Sequence, residues 1–160
     1  MFGVTMHVFR LFTSIAMLAA CYGCIPSTSI SPPPGWRQVE NRRFDLWVPP
    51  DVKAWAPLDT NALSDHFTGD TIELTFQYGT ILGDLSGFTN APHYACSVER
   101  IDGKKAKITS FYYWGSRPYH ELISAHFPEV DGKELSLTAT CRTTNDYDTA
   151  SKILRTLRFK

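Results

Sequence analysis

Thr71-Ile72-Glu73-Leu74-Thr75-Phe76-Gln77-Tyr78 alternates without a break. Ile72, Leu74, Phe76 and Tyr78 fall on one side, and four polar residues fall on the other. Successive side chains of a strand point to opposite faces, so this stretch predicts a strand with one buried face. Arg43 to Val48 predicts a second strand, stopped by Pro49-Pro50. Leu135, Leu137, Ala139 and Cys141 share one face of a third, opposite Ser136, Thr138, Thr140 and Arg142.

Two Asp-Gly pairs, Asp102-Gly103 and Asp131-Gly132, mark hairpins. A three-residue loop with a left-handed glycine in a bulge matches apolar to apolar at both. It sets Val98 against Ala106 and Cys96 against Ile108 in the first hairpin. In the second it sets Phe127 against Leu135, Ala125 against Leu137 and Ile123 against Ala139. A slip of one residue would turn every side chain to the other face. Near the end, Asn145 is the expected helix cap, with Asp148 three residues on. Tyr147, Ala150, Ile153, Leu154 and Leu157 then recur at helical spacing. Leu157-Arg158-Phe159 predicts a last short strand, and Pro57 to Phe67 reads either as a turn of helix or as an irregular loop. The fold class predicted is α+β, an antiparallel β-sheet with a C-terminal helix packed on it.

The chain has 160 residues, 43% of them hydrophobic and 20% charged, enough for one domain with an unaided core. Sixteen basic residues balance sixteen acidic ones. A neutral chain has no electrostatic footprint for phosphates, so no nucleic-acid partner is expected.

The N-terminus reads as an address. Arg10 precedes Leu11 to Ala20, an uncharged stretch too short to span a bilayer but of the length of a secretory h-region. Leu18-Ala19-Ala20-Cys21 follows. It resembles the lipobox of bacterial lipoprotein precursors, in which the cysteine receives a diacylglycerol, a peptidase cuts before it, and the new amine is acylated. The resemblance implies a signal peptide over 1–20, lipidation of Cys21 and a membrane partner through acyl chains. Tyr22 is not the Asp that tends to retain such proteins at the inner membrane. The expected location is therefore the outer membrane, facing the periplasm. Residues 21–35 are rich in Ser, Thr and Pro and are expected to form a tether reaching roughly 40 Å. The globular domain is expected over 36–160.

Phe44-Asp45-Leu46-Trp47-Val48-Pro49, Ile101-Asp102-Gly103-Lys104-Lys105-Ala106 and Ala150 to Phe159 resemble the PsbP-like fold. That resemblance implies an α/β/α sandwich that docks on other macromolecules, without shared catalytic residues.

Candidate chemistry is sparse. Cys96 and Cys141 are a candidate disulfide if their strands are neighbours, and otherwise two thiols. His93 with Cys96 and Cys141 lacks a repeated metal-ligand spacing, so no metal is expected. His120 and His126 lie too far apart along one strand to act together. Lys104, Lys105 and Lys107 read as a solvated hairpin tip. Phe111-Tyr112-Tyr113-Trp114 puts two aromatics on each side of a strand, and Tyr112, Trp114 and Tyr119 form a candidate partner surface.

The function expected is a lipid-anchored, periplasm-facing binding or accessory module of the bacterial envelope. It would have no catalytic residues and no cofactor, and its partner would be an envelope protein. One alternative is a hydrolase built on His66, Asp84 and Ser86, which must then converge. The other is a small-ligand carrier, which needs about 300 Å³ between sheet and helix.

Overall fold

A computed structural model describes residues 25–54, 64–80, 82–113 and 121–160. The elements are β1 Arg37–Glu40, β2 Phe44–Val48, β3 Lys53–Ala54, β4 Ser64–Thr68, β5 Ile72–Gly79, β6 Ala95–Ile101, β7 Lys104–Tyr112, β8 Glu121–Val130, β9 Lys133–Cys141, α1 Thr144–Arg155 and β10 Arg158–Phe159. Seven strands form one antiparallel sheet in the order β3-β4-β5-β9-β8-β7-β6. A smaller sheet, β1-β2-β10, lies across the core from it.

The alternation that announced β5 sets the inner face. Ile72, Leu74, Phe76 and Tyr78 are all buried, opposite Cys141, Ala139, Leu137 and Leu135 of β9. Phe44 of β2 meets Phe76 edge-on at 5.2 Å, closing the small sheet onto the large one. Ala150, Ile153 and Leu154 of α1 complete the core, as their spacing predicted. Full burial of a side chain such as Leu154 stabilises by about 1.5–3 kcal/mol.

The helix begins two residues earlier than expected. Thr143, not Asn145, is the N-cap, in a capping box with Asp146. The helix's first turn satisfies one orphan N–H with the Thr143 hydroxyl, and the Asp146 carboxylate accepts from the Thr143 N–H at 2.8 Å. Burial raises the Asp146 carboxyl, and hydrogen bonds from Thr71 and Thr143 outweigh it, so the net direction is down.

The first hairpin corrects the expected register. Val98 pairs with Lys107 and Cys96 with Thr109, across a two-residue turn with Asp102 at φ 49° and Gly103 at φ 78°. Apolar matching failed because Glu99, not Val98, faces the core. Its carboxylate is answered there by Arg155 of α1 and by Thr28. The second hairpin has the expected pairs Phe127↔Leu135, Ala125↔Leu137 and Ile123↔Ala139. Its turn is also two residues long, and the extra residue enters between Phe127 and Val130. Pro128 lies there, and a proline inside a sheet is tolerated at a bulge because it has no N–H for the ladder.

The expected tether is partly docked. The Arg100 N–H donates to the Pro26 carbonyl at 2.8 Å, and the Thr28 N–H donates to the Arg100 carbonyl at 2.9 Å. The Asp102 N–H donates to Ser29 Oγ, and Arg158 donates to the Ile30 carbonyl. The free backbone groups of edge strand β6 explain the docking, since an uncovered edge invites pairing. Only residues ahead of Pro26 can serve as a spacer.

Candidate functional site

The outer face of the large sheet is divided in two. One half is covered by the segment 82–94, which includes a 3-10 turn at Ser86–Phe88. The Leu82 N–H donates to Glu134, Lys107 Nζ bonds Asp84 at 2.7 Å, and the Tyr112 N–H donates to the Pro92 carbonyl. Phe88 stacks on Phe111 with ring centroids 4.9 Å apart, which buries Phe111. The Lys107 ammonium, and then Ser86, hold the Asp84 carboxyl far below the usual range. Among the described residues this cover is a strap rather than the second helical layer of an α/β/α sandwich.

The other half is open and polar. His66, Glu73, Thr75, Gln77, Ser136, Thr138 and Thr140 line a shallow depression of about 320 Å³. His66 Nδ1 lies 3.1 Å from Thr75 Oγ1. Deeper on this face, Ser124 Oγ lies 2.9 Å from Thr138 Oγ1 and donates to the Leu137 carbonyl.

The proposed hydrolase set does not come together. His66 is on β4, whereas Asp84 and Ser86 are held over β7, four strand positions away, or about 19 Å. Among the described residues, the gap inside the core beside Leu46, Phe67, Leu74 and Phe76 measures about 10 Å³. The larger space beside the helix is an open groove of about 450 Å³, lined by Trp36, Ile72, Asp146, Thr149 and Lys152, rather than an enclosed cavity between sheet and helix.

The candidate disulfide is also corrected. Cys96 and Cys141 are both free thiols. They sit on β6 and β9, with β7 and β8 between them, which sets the two strands about 14 Å apart, and Cys141 lies three residues beyond Thr138, the residue level with Cys96. Cys96 is exposed on the outer face and Cys141 is buried on the inner one. Burial, with the Asp146 and Glu121 charges, pushes the Cys141 thiol up to about 12. The same separation keeps Cys141 away from His93 and Cys96. Among the described residues no His, Cys, Asp and Glu cluster could hold a metal.

Of the candidate partner surface, Trp114 and Tyr119 lie outside the described residues, as does His120. Tyr112 is half-buried with His93 edge-on at 4.5 Å, and it borders a hollow of about 280 Å³ with Glu121, Arg142 and Thr143. Burial, chiefly, raises the Glu121 carboxyl. The lysine tip is only partly solvated, since Lys107 is tied to Asp84 and Lys104 lies over the Phe159 ring at 5.1 Å. Sequence reasoning missed the strap. Its one legible signal was Phe88, an aromatic inside a Gly- and Ser-rich loop.

With this layout in hand, the chain can be set beside known proteins. A solution structure of cyanobacterial PsbP (CyanoP) from Synechocystis sp. PCC 6803 superposes with a TM-score of 0.53 at 9% identity, covering 87% of this chain and 99% of that one. The fold is PsbP-like. At this identity the likeness speaks for the PsbP-like architecture alone. No family model matches the sequence, and a search of curated proteins finds no match.

Proposed function

We propose that this chain is a lipid-anchored binding or accessory module of the bacterial cell envelope, facing the periplasm and catalysing nothing. One observation carries the reading. The Pro26 carbonyl already accepts from Arg100, so the fold starts five residues after Cys21. A leader ending at the Leu18-Ala19-Ala20-Cys21 motif therefore leaves every described element intact when it is removed. Acyl chains gain about 0.8 kcal/mol per buried methylene, and more than one chain is needed for stable anchoring. The PsbP-like fold supports the non-catalytic part of the reading, as does the dispersal of His66, Asp84 and Ser86. Tyr22 supports the outer membrane as the destination.

The test is Cys21→Ser in the full chain. The wild type should fractionate with membranes, and the variant should accumulate in a form extractable without detergent. A wild-type protein already free of membranes would overturn the anchor.

A further inference from the structure

The N-terminal segment leaves the domain beside β6, and the exposed apolar side chains lie along the neighbouring outer face, from Val98 toward the Tyr112 end of β7. Ser27 pairs in parallel with Arg100. Traced backward from Ser27, Pro26 and Ile25 therefore head away from the Asp102-Gly103 turn, in the direction of the Ala95 end of β6. Four residue steps separate Cys21 from Ile25, and four extended residues span at most about 14 Å. Anything attached to Cys21 is held within that distance of Ile25.

Among the described residues, the large hydrophobic side chains left exposed are Phe88, Val98 and Tyr113, at 45%, 40% and 47%. Val98 stands on the outer face of β6 opposite Lys107. Phe88 lies on Phe111, which is four residues beyond Lys107 on the same face of β7, about 13 Å along the strand. Tyr113 follows at the end of β7. Single exposed apolar residues need no explanation. Their coincidence with the exit of the N-terminal chain does.

We infer that the corner formed by Phe88, Val98 and Tyr113 rests on the lipid surface that holds Cys21. This rests on the lipid-anchor reading. A four-residue leash keeps the domain against the bilayer, so some surface must face the headgroups. The one beside the leash carries an amphipathic tyrosine and two apolar side chains suited to that boundary. The two Asp-Gly turns then point away from the membrane, because β6 and β8 both run from the leash end toward them.

The experiment places a photo-crosslinking benzoylphenylalanine in the full chain, expressed in a Gram-negative host. It replaces Phe88, Val98 or Tyr113, and Gln77 or Lys133 as controls. Mass spectrometry then reads lipid adducts on the membrane-fractionated protein. Several-fold more lipid adduct at 88, 98 and 113 than at 77 and 133 supports the inference. Membrane-bound protein with equal adducts at all five positions, or with adducts to protein only at the corner, overturns it and leaves the anchor standing. Protein outside the membrane with Cys21 unmodified overturns both.

Discussion

Glu99 of edge strand β6 and Arg155 in the last turn of α1 meet in a two-pronged ion pair, with nitrogen–oxygen distances of 2.9 and 3.2 Å. Thr28 completes the carboxylate's shell from the docked N-terminal segment. One side chain thus fastens sheet edge, helix and N-terminal chain together. Glu99→Ala should lower unfolding stability by about 1–3 kcal/mol, read by urea denaturation. It should also speed hydrogen exchange at the Arg100 N–H, which is bonded to Pro26. Unchanged exchange there would mean that the segment is held independently.

The same pair has a pH signature. Burial raises the Glu99 carboxyl, but hydrogen bonds from Thr28 and Arg155 and the Arg155 charge outweigh it, leaving it below its ordinary 4.5. A depressed carboxyl contributes its full stability above the unfolded value and loses it as pH falls through the folded one. Wild type should therefore lose more stability than Glu99→Gln between about pH 5 and pH 3. Parallel losses in the two proteins would contradict the pairing.

Thiol reactivity should split the two cysteines of the domain. Cys96 is exposed, and Cys141 is buried with its thiol pushed up to about 12. An alkylating reagent at neutral pH should modify Cys96 in the native protein. It should modify Cys141 only in denaturant, with peptide masses telling the two apart. A native Cys96–Cys141 bridge, protecting both, would overturn the strand order.

Gly103 and Gly132 occupy left-handed positions, at φ 78° and 75°. A side chain there meets no neighbouring atom but strains the backbone. Gly103→Ala and Gly132→Ala should each cost about 1–2 kcal/mol in thermal or urea unfolding. Unchanged stability in either variant would contradict the left-handed conformation of that glycine.

Thr143→Ala should cost about 1 kcal/mol, because it removes the hydroxyl half of the capping box. Asn145→Ala should cost much less, since Asn145 is exposed inside the helix and caps nothing. The reverse order would restore the cap the sequence pattern first pointed to.

Those comparisons show where the sequence was legible and where it was not. Strands with one clean apolar face, β5 and β9, were readable because burial is the only reason for strict alternation. So was the apolar stripe of α1. β4 was not, because Ser64-Asp65-His66-Phe67-Thr68 carries a single apolar residue and lies near the sheet's end. The first hairpin misled because a buried charge took the inward place an apolar residue was expected to fill. The docking of Pro26 to Ile30 left no pattern, since it depends on backbone bonds to a free edge rather than on side-chain type. The candidate chemistry failed for a related reason. Residues close in sequence, such as Asp84 and Ser86, were fixed to β7, far from His66 on β4.

The central claim is that Cys21 becomes the acylated N-terminus of a domain that begins at Pro26. Mass spectrometry of the N-terminal peptide from the protein produced in a Gram-negative host tests it most directly. The account predicts a peptide starting at Cys21 and carrying the mass of a diacylglycerol and an amide-linked acyl chain. A peptide that starts at Met1, or one bearing an unmodified Cys21 thiol, would contradict it.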